Sequence, residues 1–418
     1  MTYAETLEWL YHLEVSRGWD LKLESVREAL ARLGSPQQTF AALHVAGTNG
    51  KGSTAAFAHA VLSRQGLRVG LFTSPHLNDF RERIRVGEEW ISQDAVVALA
   101  EEVRASLRGS AVELTFFELT TVMAFLHFAR TPVDAAVVEV GLGGRLDATN
   151  VLVPRATAVT TIGFDHERYL GSTLAAIAAE KGGIFKPAVP AVVGRVGDEA
   201  RQMLEATATA RGSPLRLYGR DFRAEPAALG FDYHGRRTIR AIRPGLAGRF
   251  QVDNAATALA ALEEGGWLAT IADDRVCAGI AGVQWPGRLE IVRERPRVIL
   301  DGAHNPAGVE ALVRALPDLV ESRRIHLVFG VLADKRWPEM AERLGPVIAD
   351  ATVVPVRERR SEDPGRVAEI FRRFVPTRVE TDAAAAVGRW LVDRFAEDVI
   401  LVVGSLFLVG EVRTSLAR

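Results

Sequence analysis

The chain has 418 residues, 48% of them hydrophobic and 25% charged, a composition within the range of ordinary globular proteins. That length exceeds what one core usually supports, so two domains are expected. With 51 basic and 52 acidic side chains the net charge is −1; no global basic field points to nucleic acid, and an anionic ligand has to be held by local Arg and Lys.

Met1 to Leu10 is polar and acidic, unlike a signal peptide. At His44 to Ala46 an apolar run breaks into Gly47, Thr48, Asn49, Gly50, Lys51, Gly52 and Ser53, followed by an alanine-rich helical stretch. Glycines let backbone N–H groups approach the oxygens of a polyphosphate, a helix N-terminus adds its positive dipole end, and Lys51 supplies a point charge. Ser53 is suited to the Mg²⁺ that accompanies a nucleotide. The common phosphate-loop spacing fits imperfectly, because its first glycine would fall on Val45. An ordinary glycine-rich turn is the plain alternative, and the loop alone does not separate kinase, switch and ligase.

The next apolar run, Val69 to Thr73, leads into Ser74, Pro75, His76 and Leu77, then Phe80, Arg81, Glu82 and Arg83. A loop with a hydroxyl, aromatics and arginines can stack a flat ring and bind carboxylates; a polar loop without a ligand is the alternative. The run Ala135 to Val140 carries Glu139 near its end, before Gly141 to Asp147. A carboxylate at the end of a buried strand is costly to bury without a cation. A metal is favoured, since Mg²⁺ takes one or two carboxylates plus phosphate oxygens; a salt bridge to Arg145 is the alternative. The run Ala156 to Ile162 ends in Gly163, Phe164, Asp165 and His166, so His166 holds the topological place of Glu139 one strand later, although an isolated histidine is more often structural. Between Ala179 and Pro187 a predicted helix ends at Gly182 and Gly183, where Lys181 reads first as a cation at the helix C-terminus.

Tyr218 to Pro244 has poor helical period and reads as a small β-excursion inside the first domain. Cys277 is the single cysteine, which excludes an internal disulfide or cysteine metal cluster; its apolar neighbours predict a buried structural thiol. Proline and glycine at Gln284 to Gly287 suggest a boundary, giving domains 1–285 and 286–418. Arg288 follows it, placed to close on a phosphate from the opposite domain or to form an interdomain salt bridge. The run Val298 to Leu300 enters Asp301, Gly302, Ala303, His304, Asn305 and Pro306. Asp301 and His304 can grip polar ligand groups or share a proton; alternatively Asp301 caps the next helix, which starts at Asn305 and Pro306. Further runs lie at Ile325 to Val331 and Val399 to Val403, and the longest apolar stretch, Val399 to Val409, is too short to span a bilayer. Apolar strands alternating with helices predict parallel sheets covered by helices, a doubly wound α/β class with ligands at strand carboxyl ends. A cytoplasmic protein that binds neither membrane nor nucleic acid is expected.

In this order, Gly47 to Ser53, Thr73 to Leu77 with Glu82 to Val86, Glu139 to Asn150, Asp165 and His166 through Lys186, Trp285 to Glu290, Asp301 to Pro306 and Gly404 to Leu406 resemble the folylpolyglutamate synthase and dihydrofolate synthase family of Mur-type ATP-dependent amide ligases. The resemblance implies an N-terminal phosphate-loop ATPase domain with a parallel sheet and a smaller C-terminal α/β domain. It makes Gly47 to Ser53 the ATP loop, with Asn254, Arg288, Asp301 and His304 further nucleotide contacts. It makes Ser74, Glu139 and His166, with Ser53 as an addition, ligands of Mg²⁺, in two ions. Lys181 matches a lysine the family carboxylates, which displaces the helix-cap reading. The loop of Ser74, Phe80 and Arg83 resembles the folate loop, and Thr115, Phe116, Phe117, Leu146, Asp147 and Ala148 resemble dihydropteroate contacts of bifunctional members. Lys51, Lys181 and His304 are the implied catalytic groups. One departure is Gly182–Gly183, where the family usually shows alanine then glycine; it bears on helix propensity more than on chemistry. The implied reaction joins L-glutamate to a folate or dihydropteroate carboxylate through an acyl phosphate, in a monomer. Rival readings are folylpolyglutamate synthesis alone, another Mur-type amino-acid ligase, a phosphate-loop kinase and a nucleotide-gated binding protein.

Overall fold

The computed structural model describes residues 1–17, 22–391 and 396–416. The chain divides into two compact units, each discontinuous in sequence. The first comprises Met1–Ile162, Tyr169–Pro244 and Val252–Val283; the second comprises Gly163–Arg168, Gly245–Gln251 and Gln284–Arg418.

Among the described residues the first unit holds an eight-stranded sheet. Its strands are β1 (Ala41–Ala46), β2 (Val69–Phe72), β3 (Ile84–Val86), β4 (Glu89–Trp90), β5 (Ala135–Glu139), β6 (Ala156–Val159), β7 (Ala191–Val193) and β8 (Leu215–Leu217). Their order is β4-β3-β2-β5-β1-β6-β7-β8, parallel from β2 to β8, with β3 antiparallel to both neighbours. The central strands read as continuous apolar runs because both their faces are covered. On one face the helices Tyr3–Arg17, Glu24–Arg32, Gln93–Ser106 and Phe116–Arg130 build a core around Phe72, Phe125 and Phe128. Each of these fully buried rings contributes roughly 1.5–3 kcal/mol relative to exposure. Near β6 to β8 the helices Leu174–Gly182 and Asp198–Arg211 close a second core around Phe185 and Leu204.

The expected β-excursion is a three-stranded antiparallel sheet of β9 (Arg223–Ala227), β10 (Gly230–His234) and β11 (Thr238–Ile242). Cys277 departs from expectation. It is half-buried rather than buried, because its helix Asp273–Ala281 lies against β11 and turns the thiol toward the Arg240 carbonyl, 3.7 Å away.

The second unit is built on β12 (Glu290–Glu294), β13 (Arg297–Leu300), β14 (Ile325–Phe329), β15 (Asp350–Val353), β16 (Thr377–Val379) and β17 (Val399–Val403). Their order is β12-β13-β17-β14-β15-β16, with β12 alone antiparallel among the described strands. Its core gathers Leu312, Leu327, Trp337, Met340 and Phe371 from strands and covering helices. Both units are therefore parallel α/β sheets.

Candidate active site

In the first unit the sequence-marked residues collect where β1, β2 and β5 end, three adjacent strands of the sheet. Register explains part of this. Val45 of β1 is paired with Glu139 of β5, which brings the carboxylate beside the start of the glycine-rich loop. Val45 is fully buried and stays in the strand, so the loop proper begins at Gly47. Gly47 and Gly50 have φ of 148° and 84°, and an alanine Cβ would lie 1.9 Å from Thr160 Oγ1 or 2.3 Å from Asn254 Oδ1. The loop is pinned to the end of β6. Thr48 N donates to the Thr161 carbonyl at 2.8 Å, Asn49 N to Thr161 Oγ1 at 3.0 Å, and Thr160 Oγ1 donates to the Asn49 carbonyl at 2.6 Å.

The helix Lys51–Arg64 follows, with left-handed Gly50 at its N-cap and no side chain capping it. Its first-turn N–H groups have no intrahelical acceptors and carry the positive end of the helix dipole. Lys51 Nζ reaches the Thr48 carbonyl at 3.3 Å and lies 4.0 Å from Glu139 Oε1. Such a cradle is made for an anion.

Glu139 is buried and accepts from the backbone N–H of Ser74 at 3.2 Å, so the Ser74 loop, Lys51 and the carboxylate meet at one point. The alternative salt bridge from Glu139 to Arg145 is not formed; Arg145 instead reaches Glu180 at 2.8 Å. Lys181 is 5% exposed and its Nζ donates to the Gly47 carbonyl at 2.9 Å. It therefore serves the loop rather than its own helix, which ends at Gly182 with Gly183 as C-cap. Among the described residues no three His, Cys, Asp or Glu side chains converge to hold a metal by themselves. One carboxylate, hydroxyls and phosphate oxygens form a donor set that suits Mg²⁺, which keeps several non-protein ligands.

The loop after β2 is organised by its own side chains. The Glu82 carboxylate accepts from the backbone N–H of Leu77, Asn78 and Asp79 at 2.7, 2.9 and 2.9 Å. Asp79 caps the short helix Phe80–Arg83 and holds the Arg81 side chain. Phe80, expected to touch a ligand, is in the core, where it packs edge-on to His76 and Phe116. Arg83 is 6% exposed, donates from Nε to His76 Nδ1 at 2.7 Å, and stands 5.1 Å above the Phe116 ring. Burial pulls its pKa down to about 10. Among the described residues it forms no ion pair.

Thr115 caps the helix Phe116–Arg130 in a capping box with Glu118, which sets the Phe116 and Phe117 rings at the site. A Cβ at Gly141 would strike Phe117 at 2.4 Å, so glycine is needed there for the ring to approach. Asp147 is buried and accepts from the N–H of Leu142 at 2.8 Å and of Thr149 at 3.0 Å, closing the 141–150 turn; burial raises its pKa against those bonds. Leu146 is half-buried beside it and Ala148 is buried. Asn254 lies at the loop, its carbonyl accepting from Thr54 Oγ1 at 3.4 Å.

In the second unit the segment 163–168 is tied down by His304 and Asn305 of the marked 301–306 motif and by Lys335 and Arg336, which the sequence did not single out. Asp165 takes Lys335 Nζ at 2.7 Å, Asn305 Nδ2 at 3.0 Å and His304 Nε2 at 3.2 Å. Burial opposes its charge, but the His304 hydrogen bond and the His304, His166 and Lys335 charges hold it well below the usual carboxylate range. Arg336 grips Glu167 through two bonds of 2.6 Å and covers the Phe164 ring. His166 sits in this strap with φ 51°, its N–H donating to Asp165 Oδ1 at 2.9 Å. Lys335 and Arg336 follow β14 and were detectable by the same strand-end rule that marked Glu139. Asp301 does not cap the next helix. It accepts from the N–H of Leu289 and Ala303, both at 2.9 Å, while Asn305 caps the helix at Gly308 N. Burial pushes the Asp301 pKa up against the opposing charge of Arg288.

Comparison with known proteins gives these sites a common origin. Residues 45–262 match the Mur ligase middle domain, and residues 287–406 match the Mur ligase glutamate ligase domain. The dihydrofolate synthase/folylpolyglutamate synthase of Bacillus subtilis is 34% identical over 99% of this chain and 99% of its own length. A Haloferax volcanii relative named "Probable bifunctional folylpolyglutamate synthase/dihydropteroate synthase" is 36% identical over the whole of this chain, which spans only 51% of that longer protein. The structure of Escherichia coli FolC in complex with DHPP and ADP superposes with a TM-score of 0.93 at 33% identity, covering 100% of this chain and 99% of that one. The chain belongs to the folylpolyglutamate synthase/dihydrofolate synthase family of Mur-type ligases.

Proposed function

We propose that this chain is an ATP-dependent ligase that joins L-glutamate to the γ-carboxyl of reduced folates and to the carboxyl of dihydropteroate. The observation that carries this reading is the assembly, at the ends of β1, β2 and β5, of an anion cradle, a buried carboxylate and an arginine-bearing loop. The first two suit a nucleotide and its metal, and the third suits an acidic substrate.

The acceptor carboxylate attacks the γ-phosphorus of ATP and ADP leaves, giving an acyl phosphate. The glutamate amine then attacks the acyl carbon, loses a proton and expels phosphate, leaving an amide. The first step brings two anions together, so its barrier is electrostatic. Lys51 and the first-turn amides of its helix stabilise the phosphates, and the loop bonds to Thr160 and Thr161 keep that cradle rigid. Glu139, Ser74, Ser53, His166 and a carboxylated Lys181 are assigned to hold the metal, two Mg²⁺ ions in this reading. Mg²⁺, when bound, supplies positive charge to the transferring phosphoryl group. A carboxylated Lys181 retains one N–H, enough to keep its bond to the Gly47 carbonyl, and adds oxygen donors. Asn254, Arg288, Asp301 and His304 are assigned to the nucleotide. Arg83, Phe116, Phe117 and the 146–148 turn are assigned to the pterin substrate, with Phe80 and Thr115 acting by supporting them. A monomeric state and a cytoplasmic location belong to the same proposal.

The test is ADP release by purified protein given ATP, glutamate and either dihydropteroate or tetrahydrofolate. ADP formed only when glutamate and an acceptor are both present supports the ligase, and the acceptor that works settles one activity or two. ADP formed without glutamate would favour a kinase or ATPase.

A further inference from the structure

Arg83 is buried, carries a positive charge and forms no ion pair among the described residues. Among the described residues its side chain makes one hydrogen bond, from Nε to His76 Nδ1 at 2.7 Å. A guanidinium can only donate, so His76 Nδ1 must be the bare acceptor and the ring proton sits on Nε2. That nitrogen faces the hydroxyl of Tyr11, 3.5 Å away on the helix Tyr3–Arg17. The Tyr11, His76, Phe80 and Phe116 rings meet at tilted or edge-on angles with centroids 5.9–6.2 Å apart. Arg83 is stacked over the last of them.

We propose that His76 is a positioning residue for substrate binding: by taking the Nε proton, it turns the two terminal nitrogens of Arg83 toward the carboxylate end of the acceptor substrate. A guanidinium binds a carboxylate best through two parallel bonds. Engaging Nε with a neutral ring leaves the outer edge for that fork, whereas a protein carboxylate at the same place would neutralise the charge the substrate needs. Tyr11 fixes the ring from its far side, so the N-terminal helix contributes to the substrate loop. The proposal rests on the reading of this loop as the folate loop.

The experiment compares His76→Leu, His76→Asn, Arg83→Leu and the double variant His76→Leu/Arg83→Leu in the full chain. It records KM for the acceptor, KM for ATP, kcat and the thermal midpoint. Asn places a carbonyl oxygen near the position of Nδ1 and keeps the acceptor; Leu keeps bulk without it. A hydrogen bond to a charged group implies a rise of roughly ten- to a hundredfold in acceptor KM for His76→Leu. KM for ATP and the thermal midpoint are expected to stay near wild type, His76→Asn to remain within about threefold of it, and the double variant to be no worse than Arg83→Leu. Independent, multiplying effects of the two Leu substitutions, or an equal rise in KM for ATP, would overturn the positioning role. If Arg83→Leu itself leaves acceptor KM unchanged, the folate-loop reading fails, whatever His76 does.

Discussion

Asp165→Asn is the sharpest test of how the second unit holds its strap. The carboxylate and the Lys335 ammonium are both 6% exposed and meet at 2.7 Å. Asn keeps the size and one acceptor oxygen, so its Nδ2 must face either the His166 N–H and Lys335 Nζ, which share Oδ1, or Asn305 Nδ2, which uses Oδ2, and in both cases donors oppose each other. Removing one partner of a buried pair strands the other charge, at roughly 3–5 kcal/mol. Part of that loss returns if Lys335 is also replaced, so Asp165→Asn/Lys335→Met is expected to be more stable than Asp165→Asn alone by about 2 kcal/mol. Urea denaturation followed by circular dichroism, with calorimetry on the same samples, reads both numbers. A loss below about 1 kcal/mol for the single variant, the value of an exposed pair, would refute this account of the anchor.

Three further expectations follow from single positions. Gly50→Ala places a Cβ 2.3 Å from Asn254 Oδ1 at a left-handed φ of 84°, so calorimetric ATP binding should weaken roughly tenfold or more, while unchanged affinity would remove the loop from the site. Lys181→Ala should abolish most turnover, with partial rescue by added short carboxylates; near-normal activity would remove the carbamate. At the opposite end of the second sheet, burial disfavours charge on His326, but hydrogen bonds to Asp350 at 2.7 Å and Asp398 at 3.0 Å outweigh it and raise the pKa. That contribution is complete below the unfolded pKa of about 6.5 and is lost as pH rises through the folded value. Stability profiles of wild type and His326→Gln should therefore converge toward alkaline pH, and parallel profiles would contradict the pairing.

The placement of the candidate groups was legible because parallel strands announce themselves as apolar runs, and ligand groups in such folds are sought where they end; Glu139, Lys51 and Asp301 were marked this way, and each lies at or after the end of its strand. What escaped the sequence depends on partners far apart in the chain. Asp165 and Lys335 are 170 positions apart, and nothing local says that 163–168 belongs with the second unit. The same distance problem hid the pairing of Arg145 with Glu180 in place of Glu139. Phe80 was marked as a ligand contact because an aromatic in a polar loop is ambiguous; the structure places it in the core, edge-on to His76 and Phe116. His76 itself carried no signal beyond its residue type, since its role is created by the geometry of Arg83 and Tyr11.

The central claim is that this site makes an amide between glutamate and an acceptor carboxylate. Mass spectrometry of a reaction holding ATP, isotopically labelled glutamate, and tetrahydrofolate or dihydropteroate tests it most directly. The expected product is an acceptor heavier by one labelled glutamyl residue, formed in step with ADP and lost in Lys51→Ala. ADP accumulating with no labelled amide on either acceptor would contradict it.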